Sequence, residues 1–139
     1  MRIWVAVMAL ALAACHKSDM PKVSDAWATL ASGGAEAADG YFTFDNRTDF
    51  PMDIAGLYCP KFASSDITSA SADHPSLQSL PVAPHTVIKL RPGGFYARLA
   101  EPIEPPAIGK PIECGLSVHR GELDSVDIHF QFEVKEGGG

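Results

Sequence analysis

The chain has 139 residues, with 11 Lys and Arg against 17 Asp and Glu, a formal net charge of −6. That length holds one domain with a real core and not two, and the acidic balance argues against nucleic acid as a partner. Such a surface is compatible with a metal cation or a basic partner.

Arg2 supplies a positive start, and Ile3 to Ala14 is an apolar run too short to span a bilayer comfortably. Leu12-Ala13-Ala14-Cys15 then matches the lipobox of bacterial lipoproteins, a small-residue cleavage site directly before a cysteine. The expectation is a signal peptide at 1–14, removal of which leaves 125 residues, with acyl chains on Cys15 and the new N-terminus. The membrane is then a partner through the lipid anchor. The expected place is the bacterial cell envelope, facing the periplasm.

Residues 15–22 read as a lipidated tether and 23–135 as a β domain. Val23 to Leu30 reads as a first strand or a short helix, and 31–40, rich in Gly and Ala, as a loop. Tyr41 to Asn46 is rich in aromatic and β-forming residues and ends in a turn at Asn46-Arg47-Thr48-Asp49. Met52 to Cys59 is another strand, stopped by Cys59-Pro60. Between 61 and 79 the chain is polar, with one strand-like piece at 66–70.

The stretch 80–100 organises the rest. Thr86 to Leu90 leads into Arg91-Pro92-Gly93-Gly94, and Phe95 to Leu99 leaves it. Pro92 fixes its φ, and both glycines can take φ > 0, so a sharp turn is expected there. Two strands joined by that turn would present Phe95, Tyr96 and Arg98 at a rim. Arg98 suits an anionic ligand or a partner protein, and the plainer reading is that these side chains only cover the rim.

Glu101 to Gly109 is a proline-rich connector that excludes helix. Ile112, Cys114, Leu116 and Val118 alternate with small or polar residues, as do Val126, Ile128, Phe130, Phe132 and Val134. That is a closing hairpin with one buried face. A loop of Arg120-Gly121-Glu122 would set Ile128 opposite Cys114 and point Cys114 inward. Residues 136–139 read as a disordered tail.

With Cys15 taken by lipid, Cys59 and Cys114 remain in an oxidising compartment, where a disulfide is the default. The alternative is a thiolate metal site, although no Cys-x-x-Cys spacing is present. Ser and His occur without Gly-x-Ser-x-Gly, metallohydrolase spacing or a phosphate loop, so no enzyme is expected. Short strands with frequent turns and no amphipathic helix give an all-β fold, an antiparallel sandwich or barrel.

The order of these pieces resembles the PCuAC family, periplasmic copper chaperones with a cupredoxin-like β-barrel. Asp25-Ala26-Trp27 resembles the family's opening strand, and Tyr41 to Asn46 its aromatic strand ending in Asn. Leu90-Arg91-Pro92-Gly93-Gly94-Phe95-Tyr96 resembles its Leu-x-Pro-Gly-Gly-Tyr-His turn, and the hairpin at 111–134 follows at the right distance. The resemblance implies Cu(I) binding and delivery toward the copper centre of a respiratory oxidase. In the family a His, a Met and a closing His-x-Met hold the ion, soft and neutral donors that suit Cu(I). Here Tyr96 and Arg98 stand at the closing pair, and no His lies around Asp66-Ile67-Thr68-Ser69, where the first is expected. Counting back from Tyr96 by the family spacing, the Met position falls on His74, the one ligand the resemblance leaves. His85, His119 and His129 read as surface histidines, Met52 as core and Met20 as tether. The alternative is a divergent, metal-free member that binds or assembles proteins through the 91–98 rim.

Overall fold

The computed structural model describes residues 20–30, 38–70, 79–122 and 124–136. The strands among them are β1 (Lys22–Leu30), β2 (Ala38–Asn46), β3 (Met52–Tyr58), β4 (Phe62–Ser69) and β5 (Leu80–Val82). They continue with β6 (Thr86–Lys89), β7 (Phe95–Pro102), β8 (Ile112–Arg120) and β9 (Asp124–Lys135). They form one curled sheet in the order β4-β7-β2-β1-β9-β8-β3-β5, with β6 also on β2. Its ladders are antiparallel except for β1 against β9.

Alternation sets which face is buried. On β2, Ala38, Gly40, Phe42, Phe44 and Asn46 point in, and on β7, Ala97 and Leu99 do so. Together with Leu116, Val118, Phe132 and Val134 they fill the space inside the curl. The rings of Phe130 and Phe132 meet edge to face at 4.9 Å, and Phe42 lies 5.4 Å from Phe130. That stacking favours strand over helix, because it needs side chains from several strands on one surface.

One open choice is resolved and three expectations are corrected. Residues 23–30 are strand and not helix, broken by a bulge between Ser24 and Trp27 where Asp25 takes φ 51°. Strand pairing of Ala38, Asp39 and Gly40 with β1 and β7 takes these three residues out of the expected loop. The piece at 66–70 belongs to a longer strand that starts at Phe62. The closing hairpin pairs Cys114 with Phe130, not Ile128, because Arg120 pairs with Asp124 and the loop is 121–123. A slip of two residues keeps every side chain on its own face, so Cys114 still points inward.

The turn at 91–94 is also different in kind. β6 and β7 do not pair with each other; both lie along the same edge of β2, Lys89 opposite Thr43 and Ala97 opposite Gly40. Residues 91–95 are therefore an excursion from one edge, closed by Gly94 N–H donating to Arg91 O and Arg91 N–H to Phe95 O. Pro92 followed by Gly93 at φ 84° makes it a type II turn. Of the two glycines only Gly93 takes positive φ.

Candidate functional site

Register brings the rim together. Arg98 on β7 lies opposite Asp66 on β4 and opposite Asp39 on β2, and Asp39 is in turn opposite Thr29, which is opposite Lys135. One row of positions across five strands thus reads Asp66, Arg98, Asp39, Thr29, Lys135. The neighbouring row starts with Thr68 opposite Tyr96 and ends with Tyr41 opposite Trp27 and Trp27 opposite Glu133. A charged row and an aromatic row therefore run side by side on the sheet's outer face.

The aromatic row excludes water from part of that face. Tyr41 points outward on β2, yet only 7% of it is exposed, because the Trp27 ring lies 4.5 Å from its own. Lys135 holds its ammonium 5.9 Å from the other partner's ring, that of Trp27. Burial holds the Tyr41 hydroxyl above the usual phenol range, and Asp39 and Tyr96 push it further. Burial likewise raises the Asp39 carboxyl, while the Arg98 guanidinium draws it partly back. Arg98 is itself exposed and Tyr96 half-buried, so the row offers its cation to solvent with an aromatic ring beside it. Phe95, 37% exposed, stands at the start of the same strand.

The other sequence-predicted residues fall in different places. Cys59 and Cys114 are bonded at 2.02 Å, with Cα atoms 4.2 Å apart and both side chains buried, which removes the thiolate alternative. Cys15 and His74 lie outside the described residues. His85 is an exposed turn residue whose Nε2 sits 2.6 Å from Asp49. His119 and His129 are exposed on the closing hairpin, the second facing Gly115. Met52 is core, as expected. Met20 is not simply tether: its carbonyl accepts from Arg47 Nε and Nη2 at 3.1 and 2.9 Å.

Among the described residues no three His, Cys, Asp or Glu side chains converge as a metal site. A phenol, a guanidinium and two carboxylates are not a donor set for Cu(I), which prefers thioether and imidazole. Asp39, Tyr41 and Trp27 went unmarked as site residues. Only strand register shows that they flank Arg98 and Tyr96, and the sequence carries no local signal of register.

No protein-family model matches the chain, and no curated protein matches it. Solved structures do. The chain is similar to the apo PCuAC domain of PmoF1, at 22% identity and a TM-score of 0.67, over 84% of this chain and 96% of that one. The copper-bound PCuAC domain of PmoF2 matches at 20% identity and a TM-score of 0.66, over 84% and 95%. Cu(I)-loaded DR1885 from Deinococcus radiodurans matches at 16% and 0.65, over 81% and 76%. The chain has the cupredoxin-like β fold of PCuAC domains.

Proposed function

We propose that the protein is a lipid-anchored envelope protein that takes part in copper handling through protein contact at the 91–98 rim, not by carrying Cu(I) on the family's ligand set. One observation carries this reading: the closing ligand positions hold Tyr96 and Arg98, with Asp39 and Asp66 in register on either side of the arginine. The two acids stand opposite the arginine across both ladders, and Tyr96 on the same face of β7 supplies apolar area beside its planar fork of donors, a composition typical of binding hot spots. The partner would be a protein of respiratory-oxidase assembly. The reading is of a binding protein and not an enzyme.

The second reading is Cu(I) carriage with delivery to the oxidase, favoured by the likeness to a copper-bound PCuAC domain. Anaerobic Cu(I) titration of residues 16–139 against a competing chelator separates the two. Protein contact predicts no binding above the chelator background. Tight one-to-one binding that His74→Ala weakens would establish the carrier instead. The anchor has its own test: Cys15→Ser is expected to release the protein from the membrane fraction, and continued membrane association would remove the lipoprotein reading.

A further inference from the structure

We propose that the end of the barrel carrying Met20, Arg47, Phe50 and Val87 lies against the lipid surface, and that the Arg98 rim faces away from it. The inference rests on the reading of Cys15 as the lipidated residue.

Three large apolar side chains are exposed at this end: Met20 at 47%, Phe50 at 50% and Val87 at 50%. Specific bonds gather them. Arg47 holds the Met20 carbonyl, and the adjacent Asn46 donates from Nδ2 to the Phe50 carbonyl at 2.8 Å. Val87 lies opposite Asp45, and Asp45 opposite Lys22. The Arg120 guanidinium lies 4.6 Å from the Phe50 ring centroid.

Chain length says what covers this surface. Four residues lie between Cys15 and Met20, so the five steps of chain reach at most about 18 Å when fully extended. A domain of this size has a radius of gyration of roughly 14 Å, so it is wider than its leash is long. Because Arg47 fixes the point of attachment, a lipid on Cys15 keeps this end nearest the bilayer. A domain free to tumble would need a longer tether.

The chemistry fits headgroups. Phe50 offers an apolar ring with a cation over it, and Arg47 adds a positive charge that anionic lipids attract. The acids nearby have local partners: Asp124 pairs with Arg120, Asp49 lies against the His85 ring, and Asp45 stands opposite Lys22 across the ladder. Asp39, beside Arg98, lies seven residues along β2 from Asn46, or about 23 Å. Docking this end on lipid therefore turns the rim toward the aqueous compartment, where a protein partner reaches it.

The test uses the full lipidated protein in phosphatidylethanolamine and phosphatidylglycerol vesicles that contain a doxyl quencher shallow in the acyl chain. A fluorophore is placed on Phe50→Cys, on Val87→Cys or on Ile103→Cys, with the native disulfide intact. Ile103, 72% exposed, follows β7 at the far end and serves as the control. The labels at 50 and 87 are expected to be quenched at least threefold more than the label at 103. Equal quenching at all three positions, or none at 50 and 87, would overturn the proposal. Intact mass of the same samples reads the anchor separately. Acylated Cys15 with no quenching defeats the orientation alone, and an unmodified Cys15 defeats anchor and orientation together.

Discussion

Gly40 sits on β2 directly beneath the Phe132 ring, where an added Cβ would lie 2.7 Å from Cε1 and 2.8 Å from Cζ. Phe132 is fully buried among Phe42 and Phe130 and has nowhere to move. Gly40→Ala is therefore expected to cost about 1–3 kcal/mol, read as a lowered urea midpoint with an unchanged slope. Asn46 is a second position with no substitute. It is fully buried, donates to the carbonyls of Phe50, Val82 and Ala83, and accepts from the Thr48 N–H and hydroxyl. Asn46→Asp keeps the shape but removes the donor, and leaving those carbonyls unanswered costs about 1–3 kcal/mol.

Asp39 gives the residue scale its pH dependence. Its carboxyl, raised by burial, holds a proton more tightly in the folded than in the unfolded chain. The contribution of Asp39 to stability is therefore fullest below the ordinary Asp value and is lost as pH rises through the folded one. Arg98→Ala removes the cation that lowers this carboxyl, so its titration by NMR should move upward and the loss of its contribution should extend to higher pH. Arg98→Lys should restore most of the wild-type titration. An Asp39 carboxyl indifferent to both changes would show that the charged row is not coupled.

At the scale of elements, the disulfide carries the clearest expectation. It ties the end of β3 to β8 across 55 residues, and closing a loop of that length in the unfolded chain accounts for about 4 kcal/mol. Cys59→Ala with Cys114→Ala should lose stability on that scale in urea, and a loss below about 1 kcal/mol would mean that packing alone holds the two strands. The alternation of β8 and β9 was legible because one face of each is apolar and the other wet. Its register was not, because two adjacent pairings bury the same side chains and only the turn chooses between them. β4 was partly hidden for the opposite reason: its polar first half, Ala63, Ser64 and Ser65, carries no strand pattern, and pairing with β7 makes it strand. Pro92 and Gly93 announced a turn correctly. They could not announce that the chain resumes along the same edge of β2, because that depends on a strand fifty residues earlier.

At the scale of the whole molecule, a fold shared with copper-binding domains frames a rim whose chemistry has changed. The positions of Tyr96 and Arg98 were readable from the Pro-Gly-Gly turn, and so was their unsuitability for Cu(I). Their neighbours were not readable, since Asp39 and Trp27 arrive from strands distant in sequence. The account holds that the frame persists and that Tyr96 and Arg98, at the closing ligand positions, keep Cu(I) out of it. Anaerobic Cu(I) titration of Tyr96→His/Arg98→Met beside the wild type tests that claim directly. The prediction is no wild-type binding above the chelator background and a gain of one-to-one binding in the double variant. Tight binding by the wild type, or a double variant no better than wild type, would contradict it.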